Sequence, residues 1–133
     1  MNSEDLSKTG FSEWQPFNRQ TKKELLRSVP KSFGIYAIRR DRPFSRVRGA
    51  SDILYIGSAA NQKGLRGRIR QYFSPGPTQW TNKRILALVA DASNYQISWL
   101  QTDSIAKAKA LEQELFDRYE QEHGDLPPEN LRR

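Results

Sequence analysis

Phe33–Arg39 (FGIYAIR) and Asp52–Ser58 (DILYIGS) decide how the rest of this chain is read. Both are short, free of proline and rich in aromatic and β-branched residues, the composition of strands. Side chains alternate across a strand, so Tyr36 is expected to share a face with Gly34 and Ile38, and Tyr55 with Ile53 and Gly57. Each tyrosine then has a glycine two residues away on its own face, leaving room beside the ring. A ligand or a packed helix would fill that room equally well. On pattern alone, core tyrosines in paired strands are the commoner explanation.

The next segment adds a charge to the picture. Lys63–Phe73 (KGLRGRIRQYF) sets Leu65, Ile69, Tyr72 and Phe73 on one helical stripe, and Arg68 stands three residues after Leu65 and four before Tyr72. Arg68 therefore borders the buried side, while Arg66 and Arg70 lie elsewhere on the helix. Further on, Ser104–His123 reads as one long helix whose stripe of Ile105, Ala108, Leu111, Leu115 and Tyr119 also carries Glu112. A carboxylate against an apolar stripe requires a partner, because burying it unpaired is costly. An arginine or a divalent metal would serve, and from the residues alone the arginine is the commoner solution.

With these residues in order, the chain resembles the GIY-YIG nuclease family. Gly34-Ile35-Tyr36, Tyr55-Ile56-Gly57, Arg68 with Tyr72, then Glu112 match in sequence, and Asn130 matches the family's late asparagine. The likeness covers residues 33 to 130. It implies an α/β (α+β) domain with a small three-stranded, mainly antiparallel sheet flanked by helices, and a metal-dependent DNA endonuclease. In that reading Glu112 holds the metal, Mg²⁺ with Mn²⁺ as the alternative, and Arg68 stabilises the scissile phosphate. Tyr36 positions or deprotonates the attacking water, and Tyr55 and Tyr72 assist through hydrogen bonds. Lowering a tyrosine from its ordinary pKa of about 10 to neutral-pH work would take nearby cations. Ser58 departs from members resembling the excision-repair incision subunit, which carry lysine after the second motif. The other class of function compatible with the same residues is a catalytically inactive nucleic-acid-binding module of this fold.

Composition agrees with a polyphosphate partner. The net charge is +7, but Arg19–Tyr72 holds 14 Lys/Arg against 3 Asp/Glu while the remainder holds 8 against 12, so the basic half is the half with the motif. Such a cluster gains sequence-independent affinity by releasing counterions from nucleic acid. The expected contacts are Arg66, Arg70, Ser58, Asn130, and Lys83 and Arg84 of the helical stretch Thr81–Ala90, where solvated helix ends are the plainer explanation. Arg40–Ser51 (RDRPFSRVRGAS) lies between the motif strands, a longer interval than is usual in the family. It reads as a basic arm contacting DNA through Arg40, Arg42, Arg46 and Arg48, or as a disordered insertion.

The remaining features bound the answer. Residues 1–30 are expected to form an N-terminal extension with a short helix from Thr21, capped through Glu24, ahead of a domain spanning 31–133. Phe11, Trp14 and Phe17 dock on that domain or stay loose. Tyr95–Thr102 is the expected third strand. The absence of cysteine excludes disulfides, a thiolate nucleophile and a Cys-ligated zinc site. A single histidine, His123, is expected at a helix end, and without a second signal it makes neither a zinc site nor a triad. No apolar run suits a membrane span, so the expectation is a soluble, cytoplasmic protein. No separate DNA-binding module fits in the residues left over, so target choice falls to the basic loop, to substrate shape or to a protein partner.

Overall fold

In the computed structural model, which describes residues 1–133, the two motif stretches become the inner and outer members of a long antiparallel hairpin, β2 (Gly34–Ser45) and β3 (Ala50–Ala59). Around it lie α1 (Ser3–Lys8), β1 (Gln15–Pro16), α2 (Lys22–Ser28), α3 (Gly64–Phe73), α4 (Trp80–Val89), β4 (Tyr95–Gln101) and α5 (Ile105–His123). The sheet has four antiparallel strands in the order β1-β4-β2-β3, where three were expected. The fourth is only Gln15–Pro16, paired with Ile97 and Gln96. Two residues, one of them a proline, carry no strand signal in sequence, and a proline is tolerated only because this strand is an edge.

The sheet is covered on both sides. One face packs Tyr36, Ile38, Leu54 and Ile97 against Leu25 and Val29 of the α2 region, Leu65, Ile69 and Tyr72 of α3, and Ile85 and Val89 of α4. The other packs Ile35, Ala37, Ile53 and Ile56 against Leu6 of α1 and Ala108, Leu115, Phe116 and Tyr119 of α5. Residues before Thr21 are docked: Phe17 belongs to the first cluster, and Met1, Leu6 and Phe11 to the second.

Three local features differ from simple expectation. First, the pairing runs from Ile38 opposite Tyr55 directly to Arg39 opposite Ile53, so Leu54 is an extra residue in β3. This bulge separates Tyr55, which packs with the first cluster, from Ile53, which lies in the second. Strict alternation had put them on one face. Second, the interval read as a long basic loop is mostly strand, and its turn is closed by Arg46 N donating to Gly49 O at 3.0 Å. Third, Thr21 makes no side-chain cap on α2; its hydroxyl accepts instead from Asn18 N.

The start of α3 is set by close approach. Gly64 has φ +66°, and a Cβ there would lie 2.2 Å from Lys31 O. That proximity lets Leu65 N donate to Ser32 O and Arg66 N to Pro30 O, tying the arginine helix to the chain that enters β2. At the far end, α5 begins with the Ser104 side chain accepting from Lys107 N and stops at Gly124 in the left-handed region. His123 is buried there, its Nδ1 donating to Arg48 O. No helix is long and apolar enough to cross a membrane.

Candidate active site at the sheet edge

Tyr36 is fully buried in β2, and its hydroxyl meets that of Tyr72 in α3 at 2.6 Å. The opening beside Tyr36 is supplied by its cross-strand partner Gly57, whose missing Cβ would sit 2.5 Å from the Tyr36 oxygen. Gly34 serves another purpose: its space is taken by the β4 backbone and by the Leu65 side chain of α3. The two motif glycines thus admit a tyrosine ring in one case and a helix in the other.

Arg68 lies over this pair, its guanidinium carbon 4.9 Å from the Tyr72 ring centroid and 5.9 Å from that of Tyr36. One nitrogen donates to the buried Asn82 Oδ1 at 3.0 Å, another reaches the Tyr72 hydroxyl at 3.5 Å, and Gln71 Oε1 stands 3.5 Å away. Asn82 is itself held, because its Nδ2 donates to Gln79 Oε1, which also accepts from Gly76 N. A chain of hydrogen bonds from the turn before α4 therefore fixes the arginine. Sequence reading missed Asn82 and Gln79, since a polar residue near a helix start looks solvated; its spacing inside the stripe of Ile85 and Val89 was the available signal.

Glu112 approaches from α5, on the opposite face of the sheet, at the outer edge formed by β3. Burial pushes its carboxyl above the ordinary carboxylate range, and the Ser58 hydroxyl, Lys109 and Arg68 act in the other direction. Burial likewise holds the Tyr36 and Tyr72 phenols well above their ordinary value, against the pull of Arg68. The protein alone does not depress Tyr36, contrary to the requirement for a phenolate base. Arg68 is moved upward: burial opposes its charge, but Tyr36, Tyr72 and Tyr55 more than offset it in the alkaline range where they would ionise, so at neutral pH it is a fixed cation. The site is therefore a neutral phenol pair under a fixed cation, with one carboxylate at its margin.

The groove over this edge has a volume of about 890 Å³ and is lined by Tyr55, Ser58, Arg68, Arg84, Lys109 and Asn130 among others. Asn130 faces backbone: its Oδ1 accepts from Ile56 N and its Nδ2 donates to Ile56 O, each at 2.9 Å, so its side chain is spent on the motif strand. Arg84 is paired with Glu129 at 3.1 Å, and Lys83 Nζ donates to Pro77 O. Arg66 donates to Val29 O and, with Arg70, lines a separate face with Lys31 and Lys63, away from Arg68 as the helical rotation required. The four arginines of the hairpin divide. Arg42 is exposed and Arg40 stacks on Phe44, whereas Arg48 donates to Gln121 O in the last turn of α5 and Arg46 to Leu126 O just beyond it. The structure places Arg46 and Arg48 as ties between hairpin and helix, distant in connection from the groove.

No group of three or more His, Cys, Asp or Glu side chains comes together anywhere in the protein. A cation that must be wrapped by protein donors does not fit. A hard cation that keeps most of its waters needs only one or two carboxylates, and Glu112, with the Ser58 hydroxyl beside it, is a carboxylate available at this edge.

No protein-family model matches the chain. UvrABC system protein C of Gloeobacter violaceus is 33% identical over 104 residues, covering 78% of this chain. The chain spans only 14% of that relative's length. Among solved structures, the GIY-YIG N-terminal endonuclease domain of UvrC from Thermotoga maritima bound to magnesium, its catalytic divalent cation, superposes with a TM-score of 0.54 and 20% identity over 84% of this chain and 98% of that one. A point mutant of the same domain gives a TM-score of 0.55 over 85% and 98%. Fold, motif order and sequence likeness agree on the GIY-YIG domain fold for this chain.

Proposed function

We propose that this protein hydrolyses phosphodiester bonds in DNA as a metal-dependent endonuclease. The observation that carries the reading is the convergence, at one sheet edge, of the Tyr36–Tyr72 hydroxyl pair, an arginine held from behind by Asn82, and the lone half-buried carboxylate of Glu112. Those groups come from β2, α3 and α5, and Asn82 of α4 stands behind the arginine.

Arg68 binds the scissile phosphate and offsets the negative charge that grows on its oxygens. Because its orientation is set before substrate arrives, little reorganisation is required during the reaction. The paired phenols are neutral hydrogen-bonding groups that orient a water molecule against phosphorus, with Tyr55 on the same groove wall contacting phosphate. Glu112, helped by Ser58, would hold Mg²⁺. Such an ion, when bound, supplies charge neutralisation at the phosphate and makes water easier to deprotonate. Tyr36 serves as a base only in a state where added positive charge counters its burial. Catalytic use of the metal by the T. maritima domain supports the assignment.

The decisive experiment is incubation with supercoiled, linear, branched and single-stranded DNA, with Mg²⁺ or with chelator. Cleavage that needs Mg²⁺ and disappears in Glu112→Gln supports the nuclease. Salt-sensitive binding with no cleavage under any metal would identify an inactive nucleic-acid-binding module instead.

A further inference from the structure

Trp80, the first residue of α4, is 66% exposed at the rim of the groove that contains Arg68 and Tyr55. The other tryptophans have structural employment: Trp14 donates to Ser7 and lies under Arg39, and Trp99 packs on the first core cluster. The Trp80 ring has one charged neighbour, Lys83, whose Nζ is 4.4 Å from its centroid. Lys83 also donates to Pro77 O, so ring, ammonium and preceding turn are held as a unit. That turn is the one whose Gln79 secures Asn82 and, through it, Arg68. An indole left in water at the mouth of a groove lined by Arg68, Lys109 and Arg132 has the make-up of a base-stacking platform beside phosphate-binding cations.

We propose that Trp80 stacks an unpaired base of the strand whose phosphate lies at Arg68, so that the groove accepts DNA with unpaired nucleotides next to the cleavage point, such as a single strand, flap or branch. This deepens the nuclease reading and rests on it for the course of the strand. The preference follows from geometry of the ligand: in an intact duplex both faces of each base are covered by its neighbours, and only an unpaired or extruded base offers a free face. Stacking also tolerates any base, so the platform selects structure and not sequence.

The test uses the full chain with chelator present, an oligothymidylate and a blunt duplex of equal length, and intrinsic tryptophan fluorescence with an independent binding assay. The single strand should quench the wild-type signal. Trp80→Ala should remove most of the quenching and weaken single-strand binding by about 5- to 150-fold, the usual loss for one stacked base. The ratio of single-strand to duplex affinity should fall with it. Trp80→Phe, which keeps a ring, should retain much of the binding, and this variant decides the matter if Trp80→Ala does not fold. Single-strand affinity unchanged in Trp80→Ala, an equal loss for both ligands, or a change in oligomeric state without a change in binding would each overturn the proposal. Cleavage is scored separately: selective quenching by a protein that cuts nothing would refute the nuclease and leave the platform standing.

Discussion

The substitution Gly57→Ala isolates the role of the second motif glycine. Its added Cβ would meet the Tyr36 oxygen at 2.5 Å, the Tyr36 Cζ at 2.6 Å and Tyr55 Cε1 at 2.9 Å. These are not the free ends of flexible chains, because Tyr36 is fully buried and bonded to Tyr72. One methyl forced into such packing costs about 1–3 kcal/mol. For a domain of this size that is a drop of about 3–12 °C in melting temperature. The Tyr36 hydroxyl must also leave its position, and a displacement of about 1 Å at a reacting centre is worth about 10²-fold in rate. The assay is thermal melting together with single-turnover cleavage at saturating protein in Mg²⁺. Gly76→Ala is the control, since its Cβ would come no nearer than 3.6 Å to any neighbour and Gly76 has no unusual backbone angle. A Gly57→Ala protein with wild-type melting and wild-type single-turnover rate would show that the ring is not held as described.

Other outcomes follow from the same geometry. Glu112→Gln should abolish Mg²⁺-dependent cleavage while DNA binding stays within a few-fold. Because burial raises the Glu112 pKa, ionising it opposes folding above that raised value, so the metal-free variant should melt no lower than wild type at neutral pH, and the difference should vanish in acid as both become uncharged. For the same reason Mg²⁺ affinity, read by calorimetry, should decline as pH falls through the elevated Glu112 pKa, where protons compete for the carboxylate. Arg68→Ala should slow single-turnover cleavage by about 10²–10³, whereas Arg66→Ala should mainly weaken binding; equal rates would void the Arg68 role. Replacing Arg46 and Arg48 with serine should lower the melting temperature and leave the salt dependence of DNA binding nearly unchanged, whereas replacing Arg40 and Arg42 should flatten it.

What could be read in advance was whatever depends on local pattern. The motif strands, the arginine helix and the carboxylate helix all follow from periods of two and of 3.6. The opposite orientations of Arg66 and Arg68 follow from helical rotation alone. What escaped depends on contacts between distant segments. Nothing in Gln15–Pro16 announces a strand until β4 lies beside it, and the extra residue at Leu54 becomes visible only when both sides of the hairpin are paired. The arginines of the hairpin look alike as a run of charge, yet Arg46 and Arg48 find carbonyls in and just past the last turn of α5 that the sequence places more than 70 residues away. Asn82 and Trp80, neighbours on one helix, point to opposite fates because only one of them faces Arg68.

The pairing of the C-terminal tail with β3 has a consequence for association. An outer strand with open amide and carbonyl groups is a template on which another chain can add. Here Glu129 N donates to Leu54 O, and the Asn130 amide occupies both polar groups of Ile56, so the tail imitates a fifth strand along that margin. The opposite margin ends in a two-residue strand closed by Pro16. With Leu54 O and both polar groups of Ile56 already taken on one border and a proline on the other, edge-to-edge growth into aggregates is hindered, while the β3 side stays open, above the tail, to a groove.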